Sequence, residues 1–111
     1  MEQSVEKELK IKTSVVLRTA KDLEYYFRES ELLKAKYRES NEEQRGSLRQ
    51  LQDVIAETEL MIPDAQLRLQ RAVNELEESL EKANDAGLSG TDSAERARSC
   101  LQDLRDRLTE V

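Results

Sequence analysis

The side chains that could carry catalysis are few in this sequence of 111 residues. It contains no histidine and one cysteine, Cys100, so it lacks the residue pairs that nucleophilic catalysis and zinc binding require. No glycine-rich phosphate loop occurs. A run of carboxylates on one helical stretch does not separate into a general acid and a general base while it lies on a solvated face; these residues are Glu75, Glu77, Glu78 and Glu81. The sequence predicts a protein that is not an enzyme and uses no cofactor, metal or small-molecule substrate.

The charge balance restricts the partners further. Charged residues make up 38% of the chain, and the formal net charge is -6. An excess of acid disfavours binding to phosphate backbones and anionic lipid. No apolar run approaches the roughly 20 residues that cross a bilayer, and the first residues lack the basic and apolar regions of a signal peptide. We therefore expect a cytoplasmic protein without nucleic-acid or membrane partners.

A long helix in the middle of the chain, from about residue 47 to about 84, organises the predicted fold. Its apolar and small residues alternate in steps of three and four, the spacing of a heptad repeat. These core-facing residues are Leu48, Leu51, Ile55, Thr58, Ile62, Ala65, Leu69, Ala72, Leu76, Ser79 and Ala83. Ser47 and Gln50 match the capping box that starts a helix. Pro63 directly follows a core-facing position, so we expect its ring to bend the helix without breaking it.

Two further helical patterns flank the central one. The first runs from about residue 4 to 43, with Val5, Leu9, Val16, Leu23, Tyr26, Leu33 and Tyr37 facing the core and Ala20 and Phe27 beside them. The third runs from about residue 92 to 110, with a cap expected in 92–95, and its core-facing residues are Ala94, Ala97, Leu101, Leu104, Leu108 and Val111. Short connections make neighbouring helices antiparallel. The prediction is an all-α, elongated antiparallel three-helix bundle with coiled-coil-like packing, formed as one domain by residues 1–111 and bent at Pro63.

Several large apolar residues fall outside the predicted core. On the central helix they are Leu60 and Leu67, seven residues apart at the position farthest from the core, with Met61 between them. On the first helix they are Ile11, Tyr25 and Leu32, which share one outer row with Arg18. Single exposed leucines are ordinary. Grouped around a helix bend, they favour a surface that binds a partner.

A basic stretch lies near the start of this acidic chain. Residues 9–21 contain Lys10, Lys12, Arg18 and Lys21 and no acidic residue. Two interpretations are equally open, a solvated basic face and a docking patch for an acidic partner.

Two sequence blocks resemble a known family. Residues 9–18 read Leu-Lys-Ile-Lys-Thr-Ser-Val-Val-Leu-Arg, and residues 59–69 read Glu-Leu-Met-Ile-Pro-Asp-Ala-Gln-Leu-Arg-Leu. In this order they resemble tubulin-binding cofactor A, whose members are small three-helix cytosolic chaperones. The resemblance implies a non-catalytic protein that holds β-tubulin after chaperonin release during heterodimer assembly, in association with the cytoskeleton. It adds Pro63, Asp64 and Arg68 to the candidate partner-binding residues.

A different class of function remains compatible with these patterns. Three helices in about 110 residues also suit a coiled-coil adaptor or a spectrin-like structural module. A spectrin-like unit would carry a core tryptophan and a repeated neighbour, and this chain has no tryptophan. We expect a monomer, with a homodimer formed through the outward apolar residues as the alternative.

Overall fold

The computed structural model describes residues 2–40 and 45–109. They form three helices, α1 (Glu2–Glu39), α2 (Arg45–Asp85) and α3 (Asp92–Thr109). No strand occurs in these two ranges. The predicted all-α three-helix bundle is confirmed. The expected end of the first helix, near residue 43, lies outside the described residues.

The ion pairs between helices show the relative direction of the helices. Lys12 near the start of α1 contacts Glu75 in the second half of α2, whereas Lys34 near the end of α1 contacts Glu59 in the first half. The two helices are therefore antiparallel. Arg107 near the end of α3 contacts Glu24 of α1, whereas Arg96 near the start of α3 lines a groove with Lys10. Helix α3 therefore runs in the direction of α1. The bundle is an up-down-up rod with principal dimensions of 66 × 25 × 16 Å.

The hydrophobic core is concentrated at one end of the rod. Leu9 and Val16 of α1 are buried there against the second half of α2 and against α3. The predicted core-facing row of α2 is buried from Ala65 to Ala83 but only partly buried from Leu48 to Ile62. This change occurs because α3, with 18 residues, is less than half as long as α2, with 41. The other end of the rod is a two-helix hairpin.

The turn between α2 and α3 has a Schellman ending. Gly87 has a φ of 76°, its N–H donates to the carbonyl of Asn84, and the N–H of Leu88 donates to the carbonyl of Ala83 at 2.8 Å. Leu88 packs against the core beside this turn. These contacts satisfy carbonyls that the end of a helix leaves free, and glycine takes the left-handed conformation without strain.

One predicted helix start and one predicted helix cap are displaced. Helix α2 begins at Arg45, so Ser47 lies in its first turn and is not the capping residue. The cap of α3 is Thr91, one residue before the predicted segment. Its Oγ1 accepts the N–H of Ala94 at 3.3 Å, and its carbonyl accepts the N–H of Glu95. A threonine hydroxyl, like an aspartate carboxylate, can accept a free N–H at a helix start.

Helix α2 continues through Pro63. The ring removes the N–H that would bond to the carbonyl of Glu59, and Pro63 lies on the exposed side of the helix. A bend at this residue stays a prediction. Within the described ranges, none of the three helices has a stretch apolar and long enough to cross a membrane.

Candidate partner-binding surface

The outward apolar residues of α2 are exposed in the middle of the rod. Leu60 is 74% exposed and Leu67 is 59% exposed. Met61, on the neighbouring row, is 39% exposed. Because Leu60 and Leu67 stand seven residues apart, they lie on the same side of the helix, with Pro63 between them in the chain. The structure therefore presents an apolar strip where the sequence predicts one.

Helix α1 contributes a second apolar row. Ile11, Tyr25 and Leu32 are all more than half exposed. The Tyr25 ring meets the ring of Tyr26 edge to face, with centroids 5.8 Å apart, which orients the exposed ring. This row is the one that the heptad spacing predicts.

The cross-helix ion pairs show which of these residues lie at the same level of the rod. Residues 25–32 of α1 and 60–67 of α2 all fall between the pair Lys12–Glu75 and the pair Lys34–Glu59. Ile11 lies on the other side of Lys12, at the end covered by α3. The structure thus places Ile11 at a different level of the rod from the other exposed apolar residues, which are Tyr25, Leu32, Leu60, Met61 and Leu67.

The basic stretch of α1 is divided between different environments. Lys12 has no acidic neighbour within residues 9–21, but it is paired across the bundle, because its Nζ lies 2.9 Å from Oε2 of Glu75. This hydrogen bond raises the pKa of Lys12 above its ordinary value of 10.5. Lys10 lines a groove between α1 and α3 beside Ser93 and Arg96, and Arg18 is exposed. The local sequence could not reveal the partner of Lys12, since Glu75 is 63 residues away.

The last two predicted binding residues pair with each other. Arg68 donates from Nη2 to Oδ2 of Asp64 at 2.5 Å, one helical turn away on α2. Both side chains are at least half exposed. Pro63 lies next to this pair in the chain. A partner that contacts Arg68 therefore meets a charge whose direction is already set by Asp64.

Phe27 departs from the prediction that it flanks the core, because it is 46% exposed. Thr13 and Ala20 precede it at heptad spacing on α1, and both line grooves against α3. At the level of Glu24, Arg107 already belongs to the last turn of α3, so Phe27 is left with little cover. The signal in the sequence is the shortness of the third helical pattern.

The cysteine and carboxylate side chains do not form a catalytic or metal-binding cluster in the part of the chain that the structure describes. Among the described residues, no group of three or more His, Cys, Asp or Glu side chains is arranged to hold a metal ion. The thiol of Cys100 packs into the core, and burial raises its pKa above the ordinary value of 9.0. Glu77, Glu78 and Glu81 line a shallow hollow that is open to solvent. The exposed side chains can bind a partner reversibly, through burial of apolar residues at the middle of the rod and through ion pairs around them.

Comparisons of sequence and of fold match this chain to the same group of known proteins. The family model described as Tubulin binding cofactor A matches residues 4–101. Tubulin-specific chaperone A of Mus musculus is 29% identical over 101 residues, which are 89% of this chain and 92% of the mouse protein.

Two solved structures share the helical course. Human tubulin chaperone cofactor a superimposes with a TM-score of 0.76 at 27% identity, over 91% of this chain and 98% of the human one. Tubulin folding cofactor A from Arabidopsis thaliana gives a TM-score of 0.73 at 30% identity, over 94% of this chain and 98% of that one. Since the family match runs from the first turn of α1 into α3, this chain belongs to the tubulin binding cofactor A family.

Proposed function

We propose that this chain captures β-tubulin intermediates after their release from the chaperonin and holds them during assembly of the tubulin heterodimer. Its place of action is the cytoplasm, beside the cytoskeleton. The relatives carry the names tubulin-specific chaperone and tubulin folding cofactor, and family membership carries the proposal. The holding is non-catalytic, and it uses the outer face of a preformed helical rod.

The exposed side chains of α2 support such a holding role. Leu60, Met61 and Leu67 stand on a continuous helix, so their positions are set before a partner arrives and little ordering entropy opposes binding. Burying one leucine side chain contributes about 1.5 to 3 kcal/mol, and each 1.4 kcal/mol changes affinity about tenfold. Two or three such residues are enough to hold a client reversibly.

Charges around the strip support a role in orientation. Arg18 on α1 is exposed, whereas the chain as a whole is acidic. Arg68 on α2 is exposed too, but it already pairs with Asp64. A partner with an acidic surface would be attracted to this region and repelled elsewhere on the rod. Lys12 contributes less than its position in the sequence suggests, because Glu75 already neutralises it.

The test is capture of the client by the purified chain. β-Tubulin released from the heterodimer is mixed with the chain and passed over a size-exclusion column, with isolated α-tubulin in a parallel run. We expect a complex of one chain with β-tubulin and none with α-tubulin. Failure to capture either subunit would favour a structural three-helix module. Sedimentation of the chain alone at micromolar concentration should show a monomer.

A further inference from the structure

Helix α3 occupies a groove between α1 and α2. On α1, one wall of this groove is a heptad row that begins with Thr13 and Ala20, and these residues line hollows shared with Cys100 of α3 or its neighbours. On α2, the opposite wall is the heptad row that contains Leu80 and Val73. Leu80 belongs to the hydrophobic core, and Val73 packs against that core. The hairpin therefore accepts a third amphipathic helix along this side.

The two heptad rows that form the walls of this groove continue beyond the last turn of α3. Phe27 is the next residue of the α1 row and is 46% exposed. The next residues of the α2 row, Gln66 and Glu59, are also exposed. The groove is closed farther on by the contact of Lys34 Nζ with Glu59 Oε1 at 2.6 Å. From Glu24 to Lys34 the uncovered stretch is about 15 Å long at 1.5 Å per residue, room for about three helical turns.

The charge on the α1 side of the groove repeats as well. Arg107 of α3 donates from Nη1 to Oε1 of Glu24 at 2.9 Å. Glu31 lies one heptad farther along α1, and its side chain is 72% exposed. Its contact with Lys34 is long, with 3.9 Å between Oε1 and Nζ. A helix that followed α3 along the groove would meet at Glu31 the same kind of carboxylate that α3 meets at Glu24.

We propose that this uncovered groove binds an amphipathic helix of the tubulin client, aligned with α3, with an apolar residue over Phe27 and a basic residue beside Glu31. The inference rests on the proposed function and specifies where the client docks. A helix fits because its backbone hydrogen bonds are internal and its ridges pack into a two-helix groove as those of α3 do. A second copy of this chain fits less well, because its net charge of -6 opposes self-association.

Two substitutions test the groove in the capture experiment. Phe27→Gln should weaken binding of β-tubulin about tenfold or more, since it removes the aromatic anchor. Phe27→Leu should retain most of the affinity. Glu31→Lys should also weaken binding, and its effect should shrink as salt rises, because the lost contact is ionic. Arg38→Gln, on the same α1 row one heptad beyond Glu31 and past the Lys34–Glu59 contact, is the control and should bind as the unaltered chain does.

If Phe27→Gln lowers the melting temperature, its weaker binding could reflect loss of folding. A photo-crosslinking phenylalanine analogue at position 27 then tests the contact directly. Its crosslinks should map to a helical segment of β-tubulin with apolar residues at three-four spacing. Crosslinks between two copies of this chain, or to a non-helical segment, would overturn the inference. If the unaltered chain captures β-tubulin and both folded variants bind equally well, the groove proposal is wrong and the proposed function stands. If the unaltered chain captures no tubulin, both are wrong.

Discussion

Lys12 of α1 and Glu75 of α2 are joined across the bundle, with 2.9 Å between the ammonium nitrogen and a carboxylate oxygen. The pair lies next to the buried residues Thr13 and Leu76 in the chain, so it joins the two helices at the well-packed end of the rod. A residue that the basic stretch marks as a docking cation therefore has a role within the fold.

Lys12→Gln should lower the melting temperature slightly, and the difference from the unaltered chain should shrink in high salt, where exposed ion pairs are screened. The matched change Lys10→Gln, on the neighbouring residue, should leave the melting temperature almost unchanged. Thermal unfolding followed by circular dichroism at two salt concentrations measures both. A larger effect for Lys10→Gln would contradict the assignment.

The same pair predicts a pH dependence. Its hydrogen bond raises the pKa of Lys12 in the folded chain above 10.5, so the contribution to stability is fully present below that pH and is lost as the pH rises through the folded value. The melting-temperature difference between the unaltered chain and Lys12→Gln should be constant from neutral pH to about pH 10 and disappear at higher pH. The raised pKa of Cys100 affects both chains alike and cancels in this difference.

Gly87→Ala tests the turn that brings α3 back to the bundle. The φ of 76° places Gly87 in the left-handed region, where a side chain costs about 1 to 2 kcal/mol. A Cβ added there meets nothing within 4 Å, so strain alone sets the loss of unfolding free energy. Gly90→Ala is the control, because its surroundings are equally open and its φ is not in that region. Urea unfolding should show a loss of that size for the first variant and a change within about 0.5 kcal/mol for the second.

The sequence was most informative where the structure depends on local period. Three-four spacing follows from 3.6 residues per turn, and each predicted core-facing residue of α2 from Ala65 to Ala83 is buried. The outward positions of Leu60 and Leu67 follow from the same period. Period does not say how deeply a core-facing residue is buried. Leu51 and Ile55 remain partly exposed because no third helix covers them.

Features set by residues far apart in the chain could not be predicted. Arg28 lies one helical turn from Glu24 on α1, yet Glu24 pairs with Arg107 of α3. The exposure of Phe27 depends on where α3 ends along the rod, which the pattern of α1 alone does not show. The cap of α3 differs from the predicted segment by one residue for another reason: hydroxyl and carboxylate side chains can both cap a helix, so the residue types at Thr91 and Asp92 do not distinguish the two positions.

Pro63→Ala should straighten α2 while leaving the chain at least as stable. The substitution restores the N–H that bonds to the carbonyl of Glu59 and removes the ring clash, and the site is exposed. Pro63→Gly is the matched variant: it restores the same donor but has a helix propensity about 1 kcal/mol poorer than alanine. Small-angle scattering should show a longer maximum dimension for both variants, and capture of β-tubulin should weaken. A melting temperature far below that of the unaltered chain for Pro63→Ala would mean that the proline supports the core.

The double substitution Leu60→Gln and Leu67→Gln tests the apolar strip of α2. Both side chains are more than half exposed, so their replacement opens no cavity, and glutamine keeps good helix propensity. The melting temperature should change by little, whereas binding of β-tubulin should fall about tenfold or more, since each buried leucine contributes about 1.5 to 3 kcal/mol. Asn74→Gln, on the same row one heptad beyond Leu67, is the control and should bind normally. Isothermal titration with β-tubulin measures the affinities. A folded double variant that binds as tightly as the unaltered chain would place the docking surface on another face of the rod.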